Sequence, residues 1–168
     1  MTAITSLGVD PLDVEMTLRM LLAFMLGALL GWERERAGRP AGLRTFMMVT
    51  AGSAAFTLVS IYGFAGLGTV RDPARVAAQI VTGIGFLGAG TIWRTTSTVR
   101  GLTTAAGIWF AAAVGMMAGA GMYLIAVVTA TLGFICLQWL RSPARRAKIA
   151  GEPSMVGEPS TYGGHPPE

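Results

Sequence analysis

The chain has 168 residues, of which 52% are hydrophobic and only 13% charged, with a mean hydropathy of +0.57. Soluble domains carry about 25% charged residues, so an ordinary water-soluble fold is excluded. The net charge of +4 does not indicate a nucleic-acid partner either, because the basic residues punctuate long apolar runs instead of lining one solvated face.

A crossing helix needs about 20 largely apolar residues to traverse a hydrocarbon core of about 30 Å. The chain opens with an acidic segment, residues 1–15, carrying Asp10, Asp13 and Glu15 and no basic n-region, so a cleaved signal peptide is not expected. A first span over 16–32 follows. Only 13 uncharged residues separate Arg19 from Glu33, so the terminal charges of this span must reach the headgroups, and Glu15 and Arg19 stand at i,i+4 spacing for pairing. A loop rich in alternating charge, 33–44, leads to a second span over 45–66, drawn from a 26-residue uncharged run. The 18 uncharged residues from Val76 to Trp93 give a third span, 76–93. The 40 residues from Gly101 to Leu140 hold two more, 101–119 and 121–140, turning near Gly119 to Gly121. The tail, 141–168, starts basic and continues in Pro and Gly, which predicts disorder. The expected fold is therefore an all-α polytopic membrane protein of about five transmembrane helices packed through small residues.

Short cytoplasmic loops carry the excess of Lys and Arg. With an outside N-terminus, ten basic residues fall inside and three (Arg19, Arg71, Arg75) outside, which places the C-terminus in the cytoplasm.

Glycine supplies the most distinctive motifs. Gly83-Ile84-Gly85-Phe86-Leu87-Gly88 matches the dinucleotide fingerprint in letters, but it lies inside an apolar span and no Asp or Glu occurs from Pro73 to Gly151 to hold a ribose. Each helical glycine costs about 1 kcal/mol against Ala. Gly83, Gly85, Gly88 and Gly90 therefore point to a use: another helix packing on bare backbone, or a broken helix whose freed carbonyls and amides line a polar cavity. Thr103, Gly107, Ala111, Gly115 and Gly119 form a small-residue ridge at i+4 spacing in the fourth span, and Gly27 with Gly31 repeats the pattern in the first. These are contact faces for another helix of the chain or for another subunit.

The expected inner face gathers Glu33, Arg34, Arg44, Thr45, Arg94, Arg100, Thr103 and Thr104. Glu33 could pair with Arg44 or Arg100 and tie the loops together. The hydroxyls of Thr95 to Thr98 and of Thr103 and Thr104, set among guanidiniums, could hold a phosphate or a lipid headgroup, or could simply cap helix N-termini. A weak repeat at an offset of 59 residues relates Gly31 and Gly42-Leu43-Arg44-Thr45 to Gly90 and Gly101-Leu102-Thr103-Thr104.

Catalysis finds no support. One cysteine, Cys136, and one histidine, His165, exclude an intrachain disulfide and a Cys/His zinc site or catalytic pair. No catalytic residue and no cofactor is expected. No span carries an Asp or Glu away from its ends, which argues against a coupled Mg²⁺ carrier but leaves metal ligation open. The expected partners are the lipid bilayer and either a membrane protein or a further copy of the chain, with no nucleic acid.

Two blocks taken together carry a family resemblance: Gly31-Trp32-Glu33-Arg34-Glu35 with Ala41 to Thr45, and Gly83 to Gly90 through Arg100-Gly101-Leu102-Thr103-Thr104-Ala105-Ala106-Gly107-Ile108-Trp109. The chain resembles the MgtC/SapB family of bacterial inner-membrane proteins over about Leu26 to Gly121, in the short form without the soluble C-terminal domain of longer members. The resemblance implies four or five spans with an outside N-terminus. It also implies a non-enzymatic regulatory role in adaptation to low Mg²⁺, in magnesium homeostasis or in virulence and intracellular growth. That role would be exerted on another membrane complex, in some members the ATP synthase. The alternative is a transporter or channel for Mg²⁺ or another small ion.

Overall fold

A computed structural model describes residues 10–64, 72 and 74–139, so residues 1–9 of the acidic segment and the whole tail 141–168 lie outside the described residues. Five α-helices and one two-stranded hairpin make up the described chain.

Helix α1, Pro11–Arg36, starts five residues earlier than the span expected from hydropathy. Asp10 caps it by accepting a hydrogen bond from the Leu12 amide at 2.9 Å, Pro11 sits where a missing amide costs nothing, and Asp13 in the first turn complements the helix dipole. The helix stops at a Schellman motif. Gly38, at φ +62°, donates to Glu35 O, and Arg39 donates to Arg34 O, which satisfies two carbonyls the helix leaves open.

Helix α2, Leu43–Leu58, continues into a π-helical turn, Val59–Gly63. Helix α3, Ala74–Ala89, runs without a break through its glycines. The third span is expected to reach Trp93, but the helix ends at Ala89 and Trp93 opens an antiparallel hairpin, β1 (Trp93–Arg94) on β2 (Val99–Arg100), closed by Thr95 and Thr98, whose hydroxyls lie 2.7 Å apart. Helix α4, Leu102–Gly119, ends on a second Schellman motif at Gly121, and α5, Tyr123–Trp139, follows at once.

Helix α1 with its neighbours α2 and α4 forms the packed centre, where Leu30, Phe46, Ala54, Ala111 and Val114 are fully or almost fully buried. Gly115 meets Thr50 and Gly119 meets Ala54, each pair four residues beyond the other, so α2 and α4 lie parallel. Helix α3 joins through Gly88 against Ala105, and α5 through Gly133 against the Phe110 ring. Among the described residues, three helical segments are long and apolar enough to cross a membrane: Pro11–Arg36, Leu43–Gly63 and Leu102–Gly119. Helices α3 and α5 are apolar but shorter, at 16 and 17 residues.

Candidate functional site

Three arrangements emerge from these elements. The first is a glycine seam. A methyl at Gly27 would stand 2.9 Å from Met47 Cα, and one at Gly31 2.7 Å from Leu43 Cα, so α1 and α2 touch at the backbone. On the other side of α2, a methyl at Gly115 would meet Thr50 Cα at 2.9 Å and one at Gly119 would meet Ala54 O at 2.7 Å. Gly107 faces the Phe46 ring. Thr50 thus fills both crossings; it is 0% exposed and returns its hydroxyl to Phe46 O and Met47 O, each at 3.0 Å. Sequence reasoning identified the glycines but not their complement. Phe46, Thr50 and Ala54 recur at i+4 on α2, a signal masked by their mixed size and polarity.

The second arrangement is a pair of buried arginines joining α1 to α4. At one end Arg34, 1% exposed, donates from Nη2 to Thr104 Oγ1 at 2.8 Å, with Glu33 Oε2 at 4.0 Å from its Nη1. At the other end Arg19, 8% exposed, donates from Nη1 to Gly119 O at 2.9 Å, from Nε to the Tyr123 hydroxyl at 3.0 Å, and from Nη2 to the Glu15 carboxylate. Tyr123 donates in turn to Glu15 Oε1 at 3.0 Å, and the Tyr62 and Tyr123 rings lie 5.7 and 5.8 Å from the Arg19 guanidinium. The Glu15–Arg19 pair was readable from its spacing; Tyr123 and Gly119, about a hundred residues away, were not.

Among the inner-face residues singled out in the sequence, only Glu33, Arg34 and Thr104 enter the bundle. Arg44, Thr45, Arg94, Arg100 and Thr103 are exposed. Arg44 and Arg100 form no ion pair with a described residue, and the carboxylate of Glu33 lies beside its neighbour Arg34 instead. Helix capping by the threonine hydroxyls does not occur at α4 either, since its N-cap is Gly101 without a side-chain cap.

The third arrangement is a lateral groove of about 530 Å³ between α2 and α3, lined by Val49, Gly52, Ser53 and Phe56 on one side and by Gln79, Ile80, Gly83 and Leu87 on the other. Gly52 and Gly83 line it with nothing within 4 Å of where a Cβ would stand, and Gly85 is equally open. Gly90 lies just past α3, its amide bonded to Phe86 O at 3.1 Å. Among the described residues no three His, Cys, Asp or Glu side chains come together as a metal site.

The model of the MgtC family matches residues 20–146, which contain the seam, Arg34 and the groove and begin one residue after Arg19. The chain is 42% identical over 131 residues to the Escherichia coli (strain K12) protein named "Putative magnesium transporter YhiD", covering 76% of this chain and 61% of that protein. It is 45% identical over 130 residues to Protein MgtC of Salmonella typhimurium (strain LT2), covering 77% and 54%, and 48% identical over 121 residues to Protein MgtC of Brucella abortus (strain 2308), covering 72% and 49%. The chain thus spans about half to three-fifths of the length of these relatives. No solved structure matches it. A family model spanning most of the chain, and relatives above 40% identity over three-quarters of it, establish that this membrane protein belongs to the MgtC family.

Proposed function

We propose that the chain is a non-enzymatic regulatory protein of the bacterial inner membrane that receives a transmembrane helix of another membrane complex in the groove between α2 and α3. The observation that carries this reading is the contrast among its glycines. Gly27, Gly31, Gly115 and Gly119 are used up by internal helix crossings, whereas Gly52 and Gly83 open onto the groove and meet no described residue. Helix contacts in lipid depend on small residues that let backbones approach, so open helical glycines facing a groove suit an incoming helix. The fuller topology belongs to the same reading: five crossings, the N-terminus outside and the Arg34 end cytoplasmic. The arginine asymmetry of the loops supports it, with α3 and α5 as short crossings. The family resemblance makes the ATP synthase the first complex to test, in cells adapting to low Mg²⁺.

The name of the Escherichia coli relative favours a second reading, Mg²⁺ transport. Mg²⁺ takes oxygen ligands with one or two carboxylates, and the polar side chains lining the groove are Ser53 and Gln79. The two readings separate in one experiment. A photocrosslinking residue at Phe56 is expected to capture one defined subunit of a membrane complex, while the same residue at Leu124, exposed on α5 and outside the groove, captures none, and purified protein in liposomes moves no Mg²⁺ above empty vesicles. Mg²⁺ flux that Gln79→Ala abolishes, without a crosslink at Phe56, would overturn the regulatory reading.

A further inference from the structure

The loop after α1, the hairpin and the start of α4 enclose a cleft of about 980 Å³, distinct from the groove. The geometry points to a phosphate-binding site there, formed by Arg39, Arg100 and the open N-terminus of α4. Two arginines line the cleft and, among the described residues, no Asp or Glu does. Neither guanidinium pairs with a described residue, and Nε of Arg39 is shut off from solvent with no hydrogen-bond partner among them. Arg39 is partly exposed and Arg100 exposed, so their guanidiniums can reach a ligand in the cleft, and the planar fork of Arg matches two phosphate oxygens at once.

Further donors converge on the same space. The N-cap Gly101 brings no side chain, so the first amides of α4 keep their donors for a ligand, and Ser97 and Thr103 add hydroxyls on the cleft wall. The form of the backbone keeps this end open: Gly101 adopts φ +91°, and a methyl there would overlap Thr91 O, so a capping Ser or Asp does not fit. The depth of the cleft suggests the source of the phosphate. Trp93, 65% exposed, lines the cleft, and Trp32 is half exposed close to the same end of α1. Tryptophans of this kind sit at the headgroup level of a bilayer, where anionic lipids present phosphodiesters. The ligand chemistry is a phosphate group, carried by an anionic phospholipid such as phosphatidylglycerol or by free phosphate.

The test uses the full chain. Native mass spectrometry of protein taken from phosphatidylcholine vesicles containing phosphatidylglycerol reads the lipid arm, and titration of inorganic phosphate onto protein in phosphatidylcholine nanodiscs reads the free-phosphate arm. The wild type is expected to retain one of the two ligands, and Arg39→Gln with Arg100→Gln is expected to weaken it about tenfold or more. Arg44→Gln, an exposed arginine off the cleft, should retain it. Arg100→Gln alone serves if the double variant does not fold. Retention of phosphatidylglycerol without phosphate binding identifies the lipid, and the reverse identifies the free anion. Binding of neither, or an equal loss with Arg44→Gln, overturns the site.

Discussion

Arg19 and Arg34 are the most costly side chains this molecule buries, since an ion taken out of water loses several kcal/mol that only good geometry returns. Both are held by hydrogen bonds to α4, Arg34 through Thr104 Oγ1 and Arg19 through Gly119 O. Thr104→Val keeps the shape and removes the acceptor, so we expect it to lower stability by about 1–3 kcal/mol, measured as thermal or denaturant unfolding in detergent. Thr103→Val, on the exposed neighbour, should change little; equal effects would reject the role of the bond. Reading the sequence picked out both Glu33 and Arg34 but gave the pairing to Glu33, with Arg44 or Arg100 as partner. The reason it missed is helical phase. The first span was taken to end at 32, whereas α1 runs on to Arg36 and carries the buried stripe of Gly27, Leu30 and Gly31 one turn further, onto Arg34.

Among the elements, glycine has two opposite meanings. In α1 and α4 it permits contact: Gly115→Ala drives a methyl into the backbone of Thr50, and we expect a loss of about 1–3 kcal/mol by overpacking. At Gly83 and Gly85 of α3 it meets no described residue, so Gly83→Ala or Gly85→Ala should raise stability by up to about 1 kcal/mol through helix propensity alone. Unfolding of the three single variants checks both signs together, and a loss at Gly83 or Gly85 comparable to that at Gly115 would contradict the open face. The ridge from Gly107 to Gly119 was legible because i+4 repeats of small residues are rare outside contact faces. The same spacing logic could not separate Gly83 from Gly115, since only the path of α3, touching α4 at Gly88, decides which glycines have a neighbour. The hairpin was equally out of reach: two residues per strand leave no alternating pattern to detect.

At the scale of the whole molecule, the weak repeat gains a structural counterpart. Gly42 and Gly101, related by the offset of 59, are the N-caps of α2 and α4, two parallel helices that start at Leu43 and Leu102 with no capping side chain on the N-cap residue itself; at α2 the Leu43 amide donates to Glu35 Oε2 at 2.8 Å. Helix number and order were readable from charge-free runs; the side of the membrane rests on the arginines and is open to direct test. In a Cys136→Ser background, Thr96→Cys in the hairpin turn should react with an impermeant maleimide only after the cells are opened, and Asp13→Cys should react in intact cells. Labelling of both from the same side would refute the topology. The two arginine contacts carry a mechanical consequence. The same 15-residue step, about 22 Å at 1.5 Å per residue, separates Arg19 from Arg34 and Thr104 from Gly119. Sliding α1 along α4 by one turn would require both ends to let go together, which rules out shear between them as a small motion. They form one unit, and under the proposed docking the element expected to adjust is α3, the helix that borders the groove and meets α4 through Gly88 and Ala105.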